Sequence, residues 1–511
     1  MNAPPVRIRS AALALAIPCL LSAAQAPTPA PARPPAAAPV NETAAPAPAG
    51  LAARLAPLAA SPVFHPAETG IAILSLPDQR MVFERNATRP LKPASTQKIL
   101  TTSAALALLR PEFMHETRLW ADGAIDAGGT LAGNLYIEGR GAPDLVGEMW
   151  WVMARRLADL GLRKVEGKLV ADDTWFDAVR RPGGWPAPTA DSWYNAPIGA
   201  LSCNFNVVTV RLEPSPLLGG RPDLSLEPSA SYFQVLNRAK TATGGTDLRV
   251  DRSYADGRNL LVVDGVIRRG GGEVVVHRAV EEPALYALST FREIARAVGI
   301  EIGGRNETGV VPSGARLLYR HESRPLGALV RDMNKNSSNF MAEMLVKTLG
   351  AQFVEVPGTT ASGLSMVRTW LQGLGVDLTG VILADGSGLS DDNRVPAGLL
   401  ASVLARAAAD FEIGPEVEGS LPIGGADGTL ADRFAADEAR RRVRAKTGRI
   451  AGALSLAGYA VNRDGHSFAF AVVANQPRGT LDAVHQSIDR LIAEVVGSTD
   501  ADLAPPQAAR R

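Results

Sequence analysis

Apolar residues recur along this chain with two different periods, and the changes of period divide it into zones. Ile71 to Leu76 and Arg80 to Glu84 flank Pro77-Asp78-Gln79, the composition of a hairpin turn, and lead into a helix that starts near Ser95. The far end mirrors this arrangement. Arg442 to Lys446, Leu454 to Val461 and Ser467 to Ala474 read as strands, the second pair joined by the turn Arg463-Asp464-Gly465. Val484, Ile488, Leu491, Ile492 and Val495 then repeat at spacings of three and four, a helix with one face for the sheet. Helical pattern also governs Leu326 to Leu349 and Ala361 to Leu374. Between these zones, residues 121 to 312 carry short β-rich runs such as Asn134 to Glu138, Leu260 to Val266 and Glu273 to Val276, punctuated by Gly and Pro. The pattern predicts an α/β (α+β) body interrupted by inserted β-rich subdomains, with no repeat at a fixed period.

The two ends lack such pattern. Arg7 and Arg9, the apolar run Ala11 to Leu21 and the small residues Ser22 to Ala26 read as an export signal over 1–26, cleaved after Ala24 or Ala26. Residues 26 to 50 hold eight Pro and ten Ala, so 27–50 reads as an extended tether. Residues 499–511 read as a disordered tail. With Cys19 inside the leader, Cys203 is the one cysteine expected in the mature chain, which excludes an intramolecular disulfide. No later stretch reaches the roughly 18 apolar residues of a membrane span. The 53 basic and 52 acidic residues nearly cancel, giving no electrostatic reason to expect nucleic acid as a partner. The six histidines are scattered, without His-x-x-x-His or Cys-x-x-Cys pairing, so no metal or other cofactor is implied. Gly-x-Ser-x-Gly, phosphate-loop and dinucleotide fingerprints are missing as well.

Three short motifs remain. Ser95-Thr96-Gln97-Lys98 puts a serine and a lysine three positions apart at a helix start, so the Lys98 amine reaches the Ser95 hydroxyl and, if kept neutral, can take its proton. A capping serine followed by a surface lysine gives the same spacing. Ser337-Ser338-Asn339 lies in a polar turn running into a helix, a simple cap in isolation. Lys446-Thr447-Gly448 ends the strand beginning at Arg442, where a cation and a hydroxyl on a strand edge can pair with an extended peptide and hold its carboxylate. With only eight lysines in the chain, the three motifs in this order are far more specific than any one of them.

This set resembles the active-site-serine penicillin-binding proteins and related β-lactamases. The 238 residues between Lys98 and Ser337 resemble one branch, the D-alanyl-D-alanine carboxypeptidases and endopeptidases that carry two nested inserted domains there. Gly133-Asn134-Leu135-Tyr136-Ile137, Tyr194-Asn195-Ala196-Pro197, Asp385-Gly386-Ser387-Gly388-Leu389-Ser390 and Leu421 to Leu430 are similar too. The resemblance implies a transpeptidase-like domain over 51–120 and 313–498, an antiparallel sheet with helices on both faces plus a helical subdomain, and two nested inserted domains over 121–312. It implies that Ser95 is acylated by a peptidoglycan stem peptide, with Lys98 as base and Ser337 relaying a proton. Asn339 would hold the substrate amide and Lys446, Thr447 and Gly448 the terminal carboxylate. The backbone N–H groups of Ser95 and Arg449 would form the oxyanion hole. β-Lactam antibiotics would acylate the same serine. Asp391 stands where some members place an arginine for a diaminopimelate carboxylate; Arg394 is a candidate substitute, and Asp173 a candidate partner for an amine. A β-lactamase or esterase of the same fold and a non-catalytic wall-binding protein are the alternatives. The balance of exopeptidase and endopeptidase action and the oligomeric state stay open.

Overall fold

The computed structural model describes residues 50–185, 192–228, 231–255, 257–435 and 438–503. An antiparallel five-stranded sheet at its centre is drawn from both ends of that span, in the order Val443–Ile450, Ala453–Val461, Ser467–Asn475, Thr69–Ser75, Met81–Arg85. The inner strands are apolar along nearly their whole length, as burial on both faces demands. Leu51–Ala59 and Leu481–Val496 cover one face, with Leu55, Ile488 and Leu491 packed on Ile71, Phe468 and Phe470. The helices Lys98–Leu109, Leu326–Asn336, Asn339–Phe353, Thr360–Gly373 and Ala397–Ala409 build the core beneath the other. Ala397–Ala409 has no sequence signature of its own, because an Ala-rich helix buried on most sides offers no polar face to set a period.

Four expectations are corrected. The stretch Leu326 to Leu349 is two helices, because Ser337 turns the chain with φ +56° and Ser338 then caps the next helix by accepting the Met341 amide. Lys446-Thr447-Gly448 lies inside its strand, with Lys446 opposite Ala457 and Gly448 opposite Ser455. The strand runs on to Ile450, and the turn comes where Gly452 takes φ +72°. The inserted sheet reaches beyond 121–312 at both ends: Glu116–Ala121 pairs with Leu135–Gly139 and with Arg316–Glu322. Finally, the segment 499–511 does not begin as a loose tail. Asp500–Leu503 forms a 3₁₀ turn, and Asp502 accepts from Arg54 Nη1 at 2.7 Å. The leader and tether lie outside the described residues.

The insertion is also more helical than its sequence suggests. Gly147–Asp159 and Pro283–Ala297 pack through Trp150, Leu157, Tyr286 and Phe291 on the sheet ordered Asn306–Thr308, Leu169–Asp172, Leu135–Gly139, Glu116–Ala121, Arg316–Glu322. Between Asp172 and Pro283 the chain makes further sheets, one centred on Val207–Glu213 and one on Arg258–Arg268, so one set of strands is nested within another. Cys203 is buried in this core against the Trp150 indole N–H, and burial pushes its thiol up to about 12, which removes it as a nucleophile. Among the described residues no helix is long and apolar enough to cross a membrane.

Candidate active site

Ser95 sits in the 3₁₀ turn Ala94–Gln97, directly before the helix Lys98–Leu109. That helix is apolar nearly all round and is buried as a central rod, so the one lysine on its first turn is carried inside with it. Two close approaches fix the serine. Ala94 takes φ +49°, and a Cβ on Gly388 would stand 1.9 Å from its carbonyl oxygen, so only glycine lets that loop close on the turn. On the other side a Cβ on Gly448 would lie 3.0 Å from the Ser95 nitrogen and 2.1 Å from Ser455 Oγ. The Val443–Ile450 strand therefore passes against the backbone N–H of the serine.

Lys98 is fully buried, and its amine has three neighbours: Ser95 Oγ at 3.1 Å, Asn339 Oδ1 at 2.7 Å and the Ser387 carbonyl at 2.7 Å. Loss of water lowers its ammonium to about 7, against the opposing pull of Asp385 and Glu343. A neutral amine has two N–H groups and one lone pair. Asn339 and Ser387 take both N–H groups, which leaves the lone pair for the Ser95 hydroxyl.

Lys446 is buried too. Its Nζ donates to Ser337 Oγ and to the Thr447 carbonyl, both at 2.8 Å, and burial together with the charge of Lys98 holds it well below the usual lysine range. Asn339 Nδ2 donates to the Tyr194 carbonyl at 3.0 Å, which fixes the amide and leaves its second N–H available. Thr447 Oγ1 donates to Thr429 Oγ1 at 2.7 Å. A cleft of about 1020 Å³ opens above these groups, lined among others by Ser95, Ser337, Asn339, Arg449, Trp193 and Tyr194. Val443–Ile450 is an edge strand of the sheet, so a strand-like peptide can lie along it. No cluster of three metal-ligating side chains occurs among the described residues.

The structure thus brings together Ser95, Lys98, Ser337, Asn339 and the Lys446 to Arg449 strand. It does not bring Asp173 or Arg394 to the described part of the cleft. The Asp173 side chain is largely covered, paired with Arg180 at 2.5 Å and accepting the Leu201 amide, and Arg394 Nη1 is taken by the carbonyls of Asp391 and Asn393 in its own turn. Asp173 is committed to its ion pair, and Arg394 Nη1 to its own turn. Sequence reasoning missed Thr429 and Glu343. Thr429 carries no signal of its own, whereas Glu343 does: Asn339, Glu343 and Lys347 recur every four residues along a helix that is otherwise largely apolar.

Residues 51–495 match the D-Ala-D-Ala carboxypeptidase 3 (S13) family. The chain is similar to the D-alanyl-D-alanine carboxypeptidase of Actinomadura sp. strain R39, 33% identical over 85% of this chain and 83% of that protein. The crystal structure of penicillin binding protein 4 from Haemophilus influenzae superposes with a TM-score of 0.73 at 26% identity, covering 86% of this chain and 97% of that one. The same H. influenzae protein complexed with a β-lactam gives a TM-score of 0.70 at 26% identity, over 87% and 99% of the two chains. The fold is that of the penicillin-binding proteins, and neither the β-lactamase nor the non-catalytic alternative is favoured. The chain belongs to the D-Ala-D-Ala carboxypeptidase 3 family of serine-type enzymes.

Proposed function

We propose that this serine-type D-Ala-D-Ala carboxypeptidase works through an acyl-enzyme on Ser95, formed on the stem peptide of peptidoglycan. Lys98 takes the Ser95 proton as the hydroxyl attacks the carbonyl between the terminal D-alanines. The oxyanion develops against the Ser95 N–H and the N–H of Arg449, one residue beyond the close approach of Gly448. Ser337, held by Lys446, passes the proton to the leaving D-alanine amine. The free N–H of Asn339 receives the substrate amide carbonyl. The Thr447 and Thr429 hydroxyls, beside the buried Lys446 amine, receive the terminal carboxylate. Water then releases the shortened peptide. The same acyl-enzyme forms when the leaving amine belongs to a cross-linked neighbour, which is the endopeptidase reaction. A β-lactam occupies the site as a mimic of the D-Ala-D-Ala end. The export signal read over 1–26 supports the periplasm as the site of this work.

One observation carries the reading: the Lys98 amine stands 3.1 Å from Ser95 Oγ with Asn339 Oδ1 and the Ser387 carbonyl each at 2.7 Å, so that once neutral its lone pair has the Ser95 hydroxyl as partner. Intact-mass spectrometry after incubation with benzylpenicillin tests it. One adduct on the wild type and none on Ser95→Ala is expected. An unmodified wild type beside intact drug would remove Ser95 as the nucleophile.

A further inference from the structure

The acylation scheme leaves one buried acid beside the base without a task. Glu343 stands one helical turn after Asn339, on the same side of Asn339–Phe353, and is fully buried. Its Oε1 accepts the amides of Gly386 and Ser387 at 2.9 and 2.8 Å. The carbonyl of that same Ser387 accepts the Lys98 amine at 2.7 Å. A Cβ on Gly386 would lie 2.3 Å from Val346 Cγ2 and 3.1 Å from the Ala342 carbonyl oxygen, so the turn packs closely on the helix that carries Glu343. The other oxygen, Oε2, is buried without a hydrogen-bond partner.

That asymmetry bears on charge. A carboxylate with one oxygen dry and unpartnered is far more costly than a neutral acid in the same place. The charged groups around it are Lys98 from the serine helix, Asp385 from the facing loop and Lys347 one turn further along its own helix. Lys347 is taken up by Asp177, and Lys446 faces Lys98 from the strand. Asp385 is the better hydrogen-bonded of the two acids, with donors from Gly388, Ser390, Asn393 and Trp185. Burial and the like charge of Asp385 hold the Glu343 carboxyl well above the usual range.

Resting on the reading of Ser95 and Lys98 given above, we propose that Glu343 is a positioning residue for acylation. Its Oε1 anchors the turn that receives Lys98, and by keeping a proton it leaves Lys98 a free amine rather than an ammonium tied to a buried carboxylate. During attack the Ser95 proton moves to Lys98 and on to the leaving amine, and Glu343 retains its own.

The test is the second-order rate of acylation by benzylpenicillin, followed by intact mass against pH, for the wild type, Glu343→Gln and Glu343→Ala. Glutamine copies the protonated acid in shape and hydrogen bonding. It should keep the plateau rate within about threefold and leave the acid limb in place, since the residue it replaces already carries a proton. Alanine frees the turn and should lose about 100-fold at every pH. An alanine variant as fast as glutamine would leave Glu343 without a positioning role, a glutamine variant as impaired as alanine would show that the anion is required, and an acid limb displaced to lower pH in glutamine would show that the wild type holds an anion beside Lys98; each overturns the proposal. Wild type that never acylates overturns the Ser95 reading instead. Should Glu343→Gln not fold, infrared spectra of the wild type decide. A protonated-carboxyl band at neutral pH that moves when Ser95 is acylated is expected, and its absence overturns the proposal.

Discussion

Among the described residues Lys98, Lys347 and Lys446 are fully buried, and the first and second show how partners separate an amine able to exchange a proton from one held in an ion pair. Lys98 meets a hydroxyl, an amide oxygen and a backbone carbonyl, with no carboxylate in direct contact. Lys347, two turns along the helix that begins at Asn339, meets the Asp177 carboxylate directly and the Val179 carbonyl at 2.6 Å. Burial lowers both ammonium groups, but at Lys347 the hydrogen bond and charge of Asp177 work against it. The neutral partner set leaves Lys98 able to exchange a proton near neutral pH, while the ion pair commits Lys347 to packing.

The sharpest way to break this contrast is Lys98→Met, which should lower acylation by about 10⁴-fold in the same mass assay, the upper range for a general base. A loss below tenfold would remove Lys98 from the chemistry. Lys347→Met should do the reverse. It leaves Asp177 without its cation and should destabilise the fold by about 3 kcal/mol in a denaturant titration, while the variant that folds still acylates. A large acylation defect in folded Lys347→Met would erase the distinction.

The pH dependence follows from the same physics. Acylation should fall about tenfold per unit below the Lys98 value of about 7, because only the neutral amine is a base. For stability the sign is reversed from a salt-bridged lysine. The folded-state value lies below the ordinary lysine value of 10.5, so the cost of burying the Lys98 charge is fully present below about 7 and disappears above 10.5. Lys98→Met should therefore be more stable than wild type at neutral pH by about 1 kcal/mol after the loss of two hydrogen bonds. That advantage should shrink as the pH rises toward 10.5. The smallest effect belongs to Arg394→Ala. Its Nη1 bonds within its own turn and the side chain is not among the residues lining the described cleft, so acylation should change by less than about twofold.

The motifs at Ser95, Ser337 and Lys446 were legible because each is local: a reacting or binding side chain with its spacing to the next. The sheet was legible for the same reason, since both hairpins are marked by turn residues between apolar runs. Contacts between distant segments were not. Thr429 meets Thr447 only once the Leu421 to Leu430 loop is folded back, and the Tyr194 carbonyl reaches Asn339 from within the insertion. The extent of the Lys446 strand was hidden because a partner strand, rather than its own composition, carries it through Gly448. In the insertion, the helix Gly147–Asp159 did carry an apolar face, but the surrounding Gly and Pro drew the reading toward strands.

The central sheet needs strands from both ends of the described chain, Thr69–Arg85 and Val443–Asn475. This has a consequence for biogenesis. As the chain leaves the ribosome, Ser95 emerges early, yet the strand that passes its N–H arrives hundreds of residues later. Closing so long a loop is an entropic step that cannot begin before the C-terminal hairpin exists. A nascent or truncated chain therefore holds its nucleophile in a disarmed state, and hydrolytic competence appears only with the complete polypeptide.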